Sequence, residues 1–258
     1  MARVLITGCR GGIGLDAAQR LAARGHTVYA TVHSEQSVGP VKASFGGDLR
    51  NVVVEKIDIT DPADRERAGA YDIDVLINNA AIGDSGPLAE IDLARIRKVL
   101  DINLFGALEL TRKFIPRMAD KKQGRIIFIG SMAGLMPTPF LAPYGISKFA
   151  LENVAFSLRT ELKPLGISVV MVNPGGYNTD FNQKNIGRKY EWITNSALYK
   201  DHMDVIKRQE RMIIRSELQS TASIAKQIVK AVEDKRPRRR YVAPIWQWWM
   251  IPILREIG

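Results

Sequence analysis

Tyr144 and Lys148 stand four residues apart, and Ser131 precedes the tyrosine by thirteen. On a helix, positions four apart lie one turn above each other on the same face. An ammonium beside a phenol favours the phenolate. Lys148 is therefore expected to pull the Tyr144 pKa from about 10 towards working pH. A tyrosine tuned that way can protonate a carbonyl oxygen or take a proton from an alcohol. Tyrosine and lysine are both common on helices, so the pair needs support from the rest of the chain.

The N-terminus supplies a phosphate-binding pattern. Arg3-Val-Leu-Ile-Thr7 is a short apolar run of the kind found in buried parallel strands. Gly8-Cys9-Arg10-Gly11-Gly12-Ile13-Gly14 follows at once, and Leu15, Ala18, Leu21 and Ala22 then recur at helical spacing. Glycines let the backbone approach a pyrophosphate, and a helix N-terminus offers amide donors and a positive dipole end. A tight turn without a ligand would show the same glycines. Cys9, the one cysteine, reads as a small side chain in that turn; it excludes an internal disulfide and fits a reducing compartment.

Thr7-Gly-x-x-x-Gly-Ile-Gly14, Asn78-Asn79-Ala80, Asn103, Ser131, Tyr144-x-x-x-Lys148 and Pro174-Gly175 occur in a fixed order. That ordered set resembles the short-chain dehydrogenase/reductase family from residue 2 to about residue 180. One departure is Ala81, where the family more often has glycine. The resemblance implies a catalytic set of Asn103, Ser131, Tyr144 and Lys148. Tyr144 would be the general acid in reduction and the base in oxidation. Lys148 would also hold the nicotinamide ribose, Ser131 would orient the substrate oxygen, and Asn103 would hold a water that relays protons. Ser131 alone would read as a turn or cap residue and Asn103 as a surface asparagine.

The same resemblance assigns cofactor contacts. Gly8, Gly12, Ile13 and Gly14 would approach the pyrophosphate, and Asp58 the adenine. Asn79, Ala80 and Ala81 would lie against the adenosine half, and Pro174, Gly175 and Thr179 against the nicotinamide carboxamide. An acid at the end of the second strand would bind a ribose 2′-hydroxyl and a cation a 2′-phosphate. The sequence there is Thr31-Val32-His33-Ser34, with Arg10 in the cradle and Glu35 one place late. NADP is therefore the expected cofactor, through Arg10 and His33, with NAD as the alternative. Relatives with a cation in the loop carry it directly before Gly12, a place that Gly11 holds here.

These residues need a scaffold. Strand-like and helix-like segments alternate, which implies an α/β fold: one Rossmann-like domain over 1–258, a doubly wound parallel sheet of about seven strands with helices on both faces. Strands are expected near 2–7, 27–32, 52–56, 73–77, 125–130, 168–173 and 240–243. Helices are expected near 12–24, 62–68, 93–118, 142–164 and 221–234. In relatives the third and fourth of these helices often form the subunit interface, so the resemblance implies a homo-oligomer, a dimer or tetramer. Periodicity alone is equally consistent with burial against the sheet. No low-complexity linker or repeat divides the 258 residues.

Two regions remain. A substrate lid is expected over about 176–215, with Tyr177, Phe181, Tyr190, Trp192, Ile193, Leu198, Tyr199 and Met203, joined by Leu135, Met136, Pro137, Pro139 and Phe140. Such a rim suits a lipophilic carbonyl or alcohol, a lipid, steroid or retinoid-like ketone or aldehyde. Lys184, Arg188, Lys189, Lys207, Arg208, Arg211 and Arg215 could steer an anion or simply be solvated. The tail, 235–258, joins Lys235-Arg-Pro-Arg-Arg-Arg240 to Ile245-Trp-Gln-Trp-Trp-Met-Ile251 and contributes to a net charge of +10. Basic residues beside tryptophans fit a peripheral membrane contact, or a last strand that closes the pocket. No nucleic-acid motif accompanies the basic run. The chain starts directly with a strand, which gives the expectation of no secretory signal and a cytoplasmic location. The apolar tail is too short to span a bilayer. The implied activity is NADP-dependent interconversion of a carbonyl and an alcohol. A non-catalytic NAD(P)-binding sensor, or an isomerase or dehydratase on the same fold, are the alternatives. No metal site is expected.

Overall fold

The computed structural model describes residues 1–179, 181–182 and 196–257. Seven strands form one sheet: β1 Arg3–Ile6, β2 Thr27–Val32, β3 Val52–Lys56, β4 Val75–Asn78, β5 Gly124–Ile129, β6 Ile167–Pro174 and β7 Arg240–Ala243. Their order is β3-β2-β1-β4-β5-β6-β7, and every neighbouring pair is parallel. The order reverses between β1 and β4, so a crevice opens there at the carboxyl edge of the sheet, where ligands of such sheets bind.

Parallel strands need helical crossovers, and these cover both faces. The helices are α1 Gly12–Ala23, α2 Val38–Ala43, α3 Pro62–Gly69, α4 Leu93–Leu100, α5 Ala107–Asp120, α6 Ala142–Leu162, α7 Met203–Ser216, α8 Ala222–Glu233 and α9 Ile245–Ile257. Strand side chains alternate between two buried layers. Val4, Ile6, Val28, Ala30, Ile77 and Val172 pack with α1 and α8. Leu5, Leu76, Ile126, Phe128, Val169 and Met171 pack with α5 and α6. All seven strands lie where the sequence places them, whereas α2, α7 and α9 are additional to the expected helices. The expected continuous helix over 93–118 does not form: Asp101–Gly106 winds as a π-helical turn between α4 and α5. The tail is a strand followed by a helix, α9, despite Pro252 within it. Among the described residues no helix is long and apolar enough to cross a membrane.

Candidate active site

The glycine cradle is a backbone construction. β1 ends at Ile6, and Thr7 turns the chain towards α1. Gly8 has φ +74°, and a Cβ there would come within 2.7 Å of Ala80 Cα. Gly12 has φ +57° and faces the Thr179 side chain. Both values lie in the left-handed region, where glycine is favoured. A Cβ on Gly14 would press into the Asn79 amide and lie 2.7 Å from Gly8 O. The turn is pinned from the neighbouring strand end. Thr7 Oγ1 accepts from Asn79 N at 3.0 Å and Ala80 N at 2.9 Å, and Asn79 Nδ2 donates to Thr7 O at 2.8 Å. Bare glycine backbone at the start of α1 fits a pyrophosphate. Cys9 is buried beneath it, and burial pushes its thiol up, so it is an inert core residue.

Arg10 and His33 are both exposed, at the cradle and at the end of β2. Neither forms an ion pair among the described residues. Asp58 follows β3 and caps a turn, its Oδ1 accepting from Thr60 N at 2.9 Å.

The second half of the site is built from side chains. Ser131 follows β5 in extended conformation and caps a single 3-10 turn, Met132–Gly134, its Oγ accepting from Ala133 N at 3.1 Å. The cap role read from serine alone is therefore real, and it aims the residue at Tyr144 on the first turn of α6. Tyr144 and Lys148 are buried, and the Lys148 Nζ stands 5.6 Å from the Tyr144 ring centroid. Lys148 Nζ donates to Ile129 O at 2.8 Å.

The electrostatics correct one sequence expectation. Burial pushes the Tyr144 phenol up to about 12, and the facing Ser131 hydroxyl pulls it only partly back. Burial likewise brings Lys148 down to about 8, opposed by the Glu152 carboxylate. The expected lowering by Lys148 does not set the direction; desolvation does, because the phenolate would lose its water in this enclosed place. Burial thus favours the neutral phenol of Tyr144 and moves Lys148 towards its neutral amine.

Asn103 sits inside the π-helical turn and is buried. Its Oδ1 accepts from Ile82 N at 2.8 Å, and its Nδ2 donates to Ile82 O at 2.8 Å and Ser147 Oγ at 3.0 Å. It ties the loop after Asn79–Ala81 to α6. Single π turns recur at functional sites, where they re-aim a helical side chain.

The roof is partly described. Phe181 meets the Tyr144 ring edge-on at 5.5 Å, and Phe140 meets Tyr199 edge-on at 5.5 Å. Glu90 accepts from Ser196 Oγ at 2.5 Å and Leu198 N at 2.9 Å, which fixes one end of this segment. Tyr177, expected on the substrate rim, is instead in the core, 2% exposed, with its hydroxyl 2.8 Å from Ser223 Oγ. Its aromatic ring fits either environment, and only the direction of the chain after β6 decides. Tyr190, Trp192, Ile193, Lys184, Arg188 and Lys189 lie outside the described residues. Lys207, Arg208, Arg211 and Arg215 form an exposed face of α7.

Pro174 and Gly175 end β6 beside this cluster, and α9 closes on them. Gln247 Oε1 accepts from Gly176 N at 2.8 Å, and a Cβ on Gly175 would collide with that amide. Gln247 was not singled out from the sequence, since nothing local ties it to residue 176. Among the described residues no cluster of histidine, cysteine, aspartate and glutamate could hold a metal.

The sequence and fold match known proteins. Human 17-beta-hydroxysteroid dehydrogenase type 1 is 32% identical over 252 residues, 92% of this chain and 76% of the relative. Bovine retinol dehydrogenase 8 is 32% identical over 256 residues, 92% of this chain and 80% of the relative. A solved short-chain dehydrogenase from Streptomyces avermitilis superposes with TM-score 0.80 at 22% identity, covering 99% of this chain and 93% of that one. The family described as short chain dehydrogenase matches residues 2–189. The chain belongs to the short chain dehydrogenase family, oxidoreductases that bind NAD(P) and act on hydroxyl and carbonyl groups.

Proposed function

We propose that the protein is an NADP-dependent oxidoreductase that interconverts a lipophilic carbonyl and its alcohol. The observation that carries this reading is the buried Tyr144 and Lys148, with the Ser131 hydroxyl facing the phenol, beside the glycine cradle. The bound nicotinamide supplies the hydride. Ser131 donates to the substrate oxygen and fixes its place. Tyr144, neutral through physiological pH, gives its phenolic proton to that oxygen as charge develops there. Lys148 holds the nicotinamide ribose and stabilises the phenolate left behind. Asn103 keeps the Ile82 loop and Ser147 in register and holds the water that returns a proton. Burial keeps the phenol protonated, so the proton to be transferred is in place when substrate binds.

Arg10 and His33, exposed and without an ion pair among the described residues, are the residues that would meet a 2′-phosphate, and no acid occupies the end of β2. The apolar roof and relatives named for a hydroxysteroid and for retinol support a lipophilic substrate. Nicotinamide absorbance against aliphatic, steroidal and retinoid ketones and aldehydes tests this. NADPH consumption on a lipophilic carbonyl is the expected result, whereas tight NADPH binding with no consumption would favour a binding protein.

Two exposed apolar faces point to partners. Ile146, Phe149 and Phe156 line one stripe of α6, with Phe105 exposed on the π turn nearby. A second copy of this chain suits that stripe, which supports the homo-oligomer. On α9, Ile245, Trp246, Trp249 and Met250 are exposed on one side while Gln247 and Ile251 are buried on the other. Lys235, Arg236, Arg238 and Arg239 are exposed on the segment that leads into β7 and α9, and Arg240 lies 5.4 Å from the Trp248 ring. Anionic lipid suits this face, because self-pairing would bring two basic clusters together. The protein would then be cytoplasmic and peripheral at a membrane surface.

A further inference from the structure

Behind Lys148 lies a buried polar cluster that the proton-transfer residues do not include. Glu152 stands one turn beyond Lys148 on α6, its side chain 12% exposed. Its Oε1 accepts from Asn173 Nδ2 at 2.6 Å and from Arg240 Nη1 at 2.8 Å, and its Oε2 accepts from Arg240 Nη2 at 2.7 Å. Arg240 Nη1 also donates to Asn173 Oδ1 at 2.6 Å, and its guanidinium lies 5.4 Å from the Trp248 ring. Asn173 Nδ2 donates in addition to Ser131 O at 3.2 Å. Gly130 makes room: a Cβ there would lie 2.5 Å from Asn173 Nδ2 and 3.1 Å from Glu152 Oε1. One carboxylate therefore joins the Lys148 helix, the backbone of Ser131, the residue before Pro174, and the edge strand β7.

We infer that Glu152 is a positioning residue for the Tyr144–Lys148 pair: its carboxylate, held by Arg240 and Asn173 and lying against Gly130, is a counter-charge set next to the Ile129 carbonyl to which the Lys148 ammonium donates. The inference rests on the reading of Lys148 given above, but its physical part concerns the ligand-free protein. The ammonium donates to a neutral carbonyl, Ile129 O. The titratable or charged groups facing it are Tyr144 and Glu152 from its own helix and, across the carboxylate, Arg240 from β7. Arg159, further along α6, faces Glu152 and Arg240 and donates to Val169 O. The π turn reaches α6 through Asn103 and Ser147, which carry no charge. Burial drives Lys148 towards the neutral amine and Glu152 is the group that opposes it. The bidentate guanidinium neutralises part of that carboxylate and anchors it, since fork geometry fixes both partners.

The test is an NMR titration of the Lys148 side chain in lysine-labelled, ligand-free protein, its signal assigned by loss in Lys148→Met. Glu152→Gln is expected to lower the Lys148 midpoint by about one pH unit, in the range of a lost neighbouring charge. Arg240→Gln, which leaves the carboxylate unbalanced, is expected to raise it. Glu152→Asp, keeping the charge, should stay near the wild-type value. Opposite shifts are the signature of charge, because loosened packing would move both variants the same way. Unmoved midpoints, or two shifts of the same sign, overturn the inference. If Glu152→Gln does not fold, Arg240→Gln decides alone: a rise supports the pair and no rise overturns it. Undiminished turnover in Lys148→Met would instead remove the catalytic reading and leave the titration result standing.

Discussion

The cradle around Gly8 and the cluster around Tyr144 share one edge of one sheet, yet they are made of different material. The cradle is a surface of bare backbone, left-handed glycines around an extended Gly11, pinned where the Thr7 hydroxyl and the Asn79 amide bond main-chain groups. Its buried thiol, Cys9, is held protonated by burial, so pH has little hold on the turn itself, and an added methyl group is the way to damage it. The Tyr144 cluster is side chain held by side chain, with proton affinities set by burial and by charges one turn away. Proton chemistry is sensitive there and steric fit is secondary. Binding and chemistry should therefore fail separately.

The largest separation is expected from Lys148→Met. Loss of the cation beside Tyr144 should cost about 10²- to 10⁴-fold in kcat, the usual span for acid–base assistance. In the wild type the same limb should appear as a fall in turnover as pH rises past about 8, where folded Lys148 gives up its proton. The kcat-against-pH profile checks both. A turnover limb insensitive to pH around that value would break the distinction between the two halves.

Gly14→Ala should do the reverse. A methyl group set against Gly8 O and the Asn79 amide costs about 1–3 kcal/mol. Carried into the cradle, that is roughly tenfold to a hundredfold in NADPH Kd, measured by nicotinamide fluorescence, with the pH profile of the remaining activity unchanged.

Asn103→Ala should act on both halves through stability. It leaves Ile82 N and O without their partner, at about 1–3 kcal/mol for a buried unsatisfied group. A Tm lower by several degrees and a smaller loss of kcat are expected. An unchanged Tm would show that the π turn does not need this side chain.

The smallest effect belongs to the tail. Trp246→Ala with Trp249→Ala should weaken sedimentation with anionic vesicles several-fold while leaving NADPH affinity alone. Vesicle binding that is absent in the intact chain would remove the membrane reading.

What the sequence made legible follows the same division. Gly8, Gly12 and Gly14 declare themselves because few residues accept that backbone, and the spacing from Tyr144 to Lys148 carries its own geometry. All seven strands were readable because parallel strands buried on both faces are continuous apolar runs. The π turn at Asp101–Gly106 was not, because a π turn leaves the helical period on either side nearly intact. Glu152 meets Arg240 across 88 residues, and Gln247 meets Gly176 across 71, so nothing local marks either pair. The direction of the Tyr144 shift was misread for a related reason. Neighbouring charge is visible in a sequence, whereas depth of burial is decided by Phe181, Ser131 and the folded sheet.

The central claim is that Tyr144, although a candidate cofactor contact, acts chiefly as the proton donor, so that its hydroxyl contributes little to cofactor affinity. Tyr144→Phe and the wild type should be titrated with NADPH and then followed by nicotinamide absorbance with a lipophilic ketone that the wild type reduces. The account requires near-equal Kd values with turnover lost in Tyr144→Phe. Retained turnover, or a cofactor affinity that collapses with it, would contradict that claim.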